Sequence, residues 1–78
     1  MTIRPNLVSD QITLTHTLAP EQTLQWSIID MTGKAIRQQT FNSGTLQIDI
    51  NVGDLQSGFY FMQLTDEQHI LTKKFIKN

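Results

Sequence analysis

The stretch Asp54-Leu55-Gln56-Ser57-Gly58-Phe59-Tyr60-Phe61-Met62-Gln63-Leu64 decides the fold. Gly58 interrupts a polar loop and opens the densest apolar run of the chain, rich in side chains that favour pleated structure. From Phe59 to Thr65 the apolar residues fall at first on both alternating faces, which points to a central strand. The neighbouring segments must then supply the strands that flank it.

Downstream, Asp66-Glu67-Gln68 reads as a tight connection and His69 to Lys77 as the last strand. Upstream, Thr45 to Ile50 alternates Leu46, Ile48 and Ile50 with Gln47 and Asp49, the period-two pattern of a half-buried strand. Between them Val52 and Leu55 stand three apart, a spacing that suits one helical or 3₁₀ turn tucked under a sheet.

Ala35 to Phe41 has thin apolar content, with Ile36 followed by Arg37, Gln38 and Gln39, and fits an edge strand. Asn42-Ser43-Gly44 marks the turn after it. Asp30-Met31-Thr32-Gly33-Lys34 predicts a hairpin before it, with Asp30 at the first turn position and Gly33 left-handed in a type I turn plus bulge. Thr23 to Ile29 places Leu24, Trp26 and Ile28 on one face, so Trp26 is read as a core anchor. Ala19-Pro20-Glu21-Gln22 is a proline turn. From Gln11, Ile12, Leu14 and His16 alternate with Thr13, Thr15 and Thr17, whose face is expected to meet solvent. Thr2-Ile3-Arg4-Pro5-Asn6 leads in ahead of regular structure. Short strands, tight turns and no long helix predict an all-β sandwich.

Seventy-eight residues allow one domain, near the lower size at which a hydrophobic core alone holds a fold. A hydrophobic fraction of 38% with 17% charged residues belongs to an ordinary globular chain and argues against disorder. The net charge of -1 lacks the basic excess with which nucleic-acid binders neutralise phosphates. No apolar segment approaches the roughly 18 residues that span a bilayer, so membrane insertion is not expected. The absence of cysteine excludes disulfides, thiolate metal sites and a thiolate nucleophile.

Catalytic chemistry finds no support. His16 and His69 are the only histidines, read as surface or boundary residues, and neither lies in a nucleophile elbow or a metal-binding spacing. Five Asp and two Glu are scattered without a paired arrangement. Asp49-Ile50-Asn51-Val52-Gly53-Asp54 faintly resembles the opening of a calcium loop, but Gly53 takes a ligand position and Tyr60 stands where the closing Glu belongs. Neither an enzyme nor a cofactor or metal site is expected.

Lys73, Lys74 and Lys77 place half of the six basic residues near the C-terminus. They fit a solvated edge strand protected from aggregation, or a positive strand that a partner grasps by pairing and charge. The pattern leaves both open.

Three separated stretches resemble the C-terminal sorting domain of type IX (Por) secretion cargo. Pro5-Asn6-Leu7-Val8-Ser9-Asp10-Gln11-Ile12-Thr13-Leu14 is similar to its opening Pro-Asn-Pro-x-x-Asp-x-Leu box, with Leu7 replacing the second proline. Ile29-Asp30-Met31-Thr32-Gly33-Lys34-Ala35-Ile36 resembles its Asp-x-x-Gly-Lys turn. The third is Leu55 to Leu64, ending in Lys73-Lys74-Phe75-Ile76-Lys77.

The resemblance implies an immunoglobulin-like antiparallel β-sandwich of about seven strands over residues 5–78, with residues 1–4 a linker remnant or the start of an excised fragment. It implies a passenger at the N-terminal side, transit through the periplasm, and passage through the type IX translocon to the cell surface or the medium of a Gram-negative bacterium. A sortase-like peptidase would then remove the domain. Gly33, Lys34, Gly58, Tyr60, Lys73 and Lys74 carry over as recognition or fold-critical positions, the lysines being the better candidates for direct contact. A homodimer through an exposed edge strand stays open. The competing reading is a small immunoglobulin-like adhesion or carbohydrate-binding module, with Trp26 and Tyr60 as exposed ligand aromatics.

Overall fold

The computed structural model describes residues 2–5, 7–16, 23–42, 47–66 and 69–78. The expected turns at Ala19 to Gln22 and at Ser43-Gly44, and the Glu67-Gln68 part of the last connection, lie outside the described residues. Eight strands are described: β1 (Thr2–Arg4), β2 (Leu7–Val8), β3 (Gln11–Thr15), β4 (Thr23–Ile29), β5 (Ala35–Asn42), β6 (Gln47–Asn51), β7 (Gly58–Thr65) and β8 (Ile70–Lys77). They form a three-stranded sheet in the order β1-β3-β6 and a five-stranded sheet in the order β2-β8-β7-β4-β5. The fold is an all-β sandwich, as the alternation predicts.

The core follows that alternation. Ile12 and Leu14 from β3, Ile50 from β6, Leu24, Trp26 and Ile28 from β4, and Tyr60, Met62 and Leu64 from β7 are buried together with Phe75 from β8. Their interdigitation between the two layers removes apolar surface from water, the main favourable term in a chain without disulfides. The opposite side of β3, carrying Thr13 and Thr15, lies towards solvent.

Several details depart from expectation. The leading segment contributes β1, whose Ile3 is buried opposite Leu14. The pairing is mixed, because the two-residue β2 runs parallel to the end of β8, with Leu7 opposite Ile76 and Val8 opposite Lys77. Val52 and Leu55, by contrast, close the single turn their spacing predicts: the Leu55 N–H donates to the Val52 carbonyl at 3.0 Å, which is enough to seat Val52 in the core. His16 continues the inward face of β3 and is 2% exposed against the edge of the Phe41 ring, so it is a core residue and not a surface one.

β7 is the middle strand of its sheet, as expected, but only one of its faces is buried. Tyr60, Met62 and Leu64 point inward, whereas Phe59 and Phe61 remain 44% and 37% exposed. β5 is an edge strand, as its composition predicts. β8 is covered by β2 along its final two residues only.

Candidate functional site

The hairpin between β4 and β5 is built by Asp30. Its Oδ1 accepts the N–H groups of Thr32 and Lys34 at 2.9 and 3.1 Å and the Thr32 hydroxyl at 2.6 Å. The Thr32 hydroxyl, foremost, holds the Asp30 carboxyl below its ordinary value. Gly33 donates to the Asp30 carbonyl at 3.0 Å and adopts φ +88°, the left-handed geometry foreseen for a type I turn with bulge. The register slips between Ile28 and Ile29, where Ile28 faces Arg37 and Ile29 faces Ala35. Lys34 is exposed at the end of this turn.

Gly58 starts β7 at φ +151°, a conformation that side chains rarely tolerate. The loop before it is tied down by Tyr60, whose hydroxyl donates to the Gln56 carbonyl at 2.7 Å. The Tyr60 ring stacks on Phe75 with centroids 5.6 Å apart. Because Ile29 pairs with Phe61, the 30–34 turn lies beside the 56–60 loop, and Asp30, Met31, Thr32, Gln56, Ser57 and Phe59 line one shallow hollow. Two of the three sequence motifs are thereby brought together.

The basic tail is divided by the pleat. Lys73 pairs with Met62 and shares its side of the sheet, yet is exposed at the rim. Lys74 pairs with Phe61 on the outer side, with Nζ 4.5 Å from the centroid of the Phe59 ring. Lys77 is 7% exposed and donates to the Asn78 carbonyl at 2.9 Å, so the third lysine of the tail is not displayed. Sequence reasoning missed the outward side chains of Leu7, Phe59, Phe61 and Ile76, although apolar residues on both alternating faces of β7 were a signal for them.

A second hollow is lined by Asp10, Arg37, Asn51, Gly53 and Asp54 and holds much of the stretch compared with a calcium loop. The Asn51 and Asp54 oxygens in it are engaged within the chain. Asn51 Oδ1 accepts the Gly53 N–H at 2.8 Å, and the Arg37 guanidinium pairs with Asp54 and donates to the Asn51 carbonyl at 2.8 Å. That guanidinium pulls the Asp54 carboxyl below its ordinary value, and Asp54 in turn raises Arg37. Among the described residues no group of three acidic, histidine or cysteine side chains is placed to hold a metal ion. His69 lies at the far connection beside Asp66, with 3.1 Å between Nδ1 and the carboxylate. Among the described residues no helix is long and apolar enough to cross a membrane.

Trp26 and Tyr60 are 7% and 8% exposed. Neither stands on a sheet face as a ligand aromatic, so the adhesion or carbohydrate-binding reading loses the residues it depended on.

The profile of the family described as secretion system C-terminal sorting domain matches residues 2–78, from β1 through the end of β8. No curated protein matches the chain. The matched region takes in all three motif stretches and every described strand, and the chain belongs to the family of C-terminal sorting domains of type IX secretion.

Proposed function

We propose that this domain is the part of a larger exported protein that the type IX translocon recognises, and that a sortase-like peptidase removes it once the cargo has crossed the outer membrane. The observation that carries the reading is the family match over residues 2–78 on a sandwich whose motif turns lie side by side. A passenger would be joined at the N-terminal side, pass through the periplasm and be delivered to the surface or the medium. The domain acts as a recognition unit and supplies no chemistry of its own. Lys73 and Lys74 are exposed cations suited to direct contact, Lys34 is a third at the neighbouring turn, and Gly33, Gly58 and Tyr60 would serve by shaping the turns that present them.

A fusion of a signal peptide, a folded reporter and residues 1–78, expressed in a type IX-competent host, tests the reading. Reporter on the surface or in the medium, lost when the domain is omitted, is the expected result. A folded fusion retained in the periplasm overturns it.

A further inference from the structure

The outer face of the five-stranded sheet has an unusual composition. By register, four rows of side chains cross it. Thr40, Gln25, Thr65 and Ile70 form one row, and Gln38, Ser27, Gln63 and Thr72 the next. Ala35, Ile29, Phe61 and Lys74 form the third, and Phe59, Ile76 and Leu7 the last. One end of the face is therefore uncharged and mostly polar, with Ile70 67% exposed at its margin, and the other is apolar apart from Lys74. Leu7, Phe59, Phe61 and Ile76 are 56%, 44%, 37% and 40% exposed in one contiguous patch. Among the described strand residues of the face Lys74 is the only charge, and at its apolar end Asp30 of the adjoining turn lines a hollow with Phe59.

We propose that this apolar end, centred on Phe59 and Phe61 with Lys74, is the docking surface for a protein partner that presents apolar side chains and a carboxylate placed to meet Lys74. The proposal rests on the sorting role proposed above and names the face through which that role is exercised. A contiguous aromatic and aliphatic patch on a small domain marks an interaction site, and aromatic anchors dominate binding where water is excluded. Lys74 lies over the Phe59 ring, which restrains both side chains before binding and lowers the ordering cost of association.

Charge decides between occupants. A second copy laid on this face would offer Lys74 only the Asp30 carboxylate of the turn beside Phe59, whose Oδ1 is already held by the Thr32 and Lys34 N–H groups and the Thr32 hydroxyl, and a buried ammonium without a committed partner is strongly unfavourable. A lipid surface is held by several cations acting together, whereas this face offers one. A heterologous protein with an acidic side chain beside an apolar patch satisfies both the ring cluster and the cation, and no described carboxylate on the strands of the face repels it.

The fusion assay separates the two levels of the proposal when run with face variants. Phe59→Gln with Phe61→Gln, and separately Lys74→Glu, are expected to lower reporter delivery by roughly tenfold or more, while Lys74→Arg stays near the unsubstituted fusion. The isolated variant domains must keep the melting temperature of the unsubstituted one; if the double variant fails to fold, Leu7→Gln on the short β2 reports on the same patch. Delivery of all variants at the unsubstituted level overturns the docking face and leaves the sorting role standing. Failure of the unsubstituted fusion removes the sorting role and the partner with it. Two further results overturn the protein partner: a dimer of the isolated domain in sedimentation that Phe61→Gln abolishes, which assigns the face to a second copy, and binding to phosphatidylglycerol vesicles that Lys74→Glu abolishes, which assigns it to lipid.

Discussion

Single residues set the shape of the two motif turns, and they do so by different means. Gly58 sits at φ +151° with open space where a Cβ would stand, so the cost of a side chain there is backbone strain and not collision. Gly33, at φ +88°, is equally uncrowded. Gly53 is the reverse case: a Cβ would meet Asn51 Oδ1 at 3.3 Å and Asp10 Oδ1 at 3.4 Å, both at the ends of side chains that can yield. Gly58→Ala should therefore destabilise the domain by about 1–3 kcal/mol, the usual range for a strained backbone position, and lower the melting temperature by roughly 4–8 °C per kcal/mol. Gly33→Asn should cost less, because asparagine tolerates left-handed geometry. Urea unfolding of the two variants gives the comparison, and a Gly58→Ala domain as stable as the parent would show that the backbone relaxes there. Tyr60 adds a second tether, since its hydroxyl holds the Gln56 carbonyl while its ring stacks on Phe75.

Between elements the informative contact is the clamp from β5 to the end of β6. Arg37 projects from an edge strand of one sheet and binds Asn51 and Asp54 at the edge of the other, closing that side of the sandwich. Asp54 is largely exposed, so solvent screens the pair and its effect is expected to be local. Arg37→Ala should speed amide exchange along β5 and at Asn51 to Leu55 while leaving β7 protected; uniform loss of protection would mean that the clamp supports the whole fold. Asp30 and Asp54 both have folded-state values below their unfolded ones, of about 3.9. Their contribution is present above that value and is lost as pH falls through the lower, folded one. The unfolding midpoint should thus decline below about pH 4. Asp30→Asn with Asp54→Asn should flatten that decline, and an unchanged acid limb would remove these two groups as its source. The strands in these contacts were legible because β3, β4, β6 and β7 each bury one side at period two. β1 and β2 were not, because three and two residues carry no period. The Val52 and Leu55 spacing was legible too, since a single i→i+3 turn places residues three apart on the same side. Of the candidate surface, sequence gave the lysines and the two turns. It missed the outward Phe59 and Phe61, because apolar residues on both faces of a strand read equally as double burial and as one exposed apolar face.

Across the whole molecule, the C-terminal strand is structural as well as exposed, and this governs how its role in sorting can be measured. β8 pairs with β7 along its full length from Ile70 to Lys77, and Phe75 is 1% exposed in the core. Its end also fastens the opposite end of the chain: among the described residues β2 pairs only with β8, the Asn78 N–H donates to the Val8 carbonyl at 2.9 Å, and Asn78 Nδ2 donates to Ser9 Oγ at 3.1 Å. Removal of residues 73–78 therefore strips the core of Phe75 and leaves β2 without a partner. Loss of a buried aromatic alone costs about 3–5 kcal/mol, comparable with the entire stability of many small domains. The truncated domain should be unfolded, with collapsed amide dispersion in its NMR spectrum, so a loss of export on truncation reports folding before it reports recognition. Deleting Asn78 alone removes three hydrogen bonds, the two to Val8 and Ser9 and the one it accepts from Lys77, and should cost about 1–3 kcal/mol with the dispersion retained. Lys73→Glu with Lys74→Glu spares every buried residue of β8, so the fold should survive while the displayed charge reverses. Folded Lys73→Glu/Lys74→Glu domains that no longer support export would locate recognition in the displayed lysines. Folded and fully exported ones would show that β8 serves the sandwich alone.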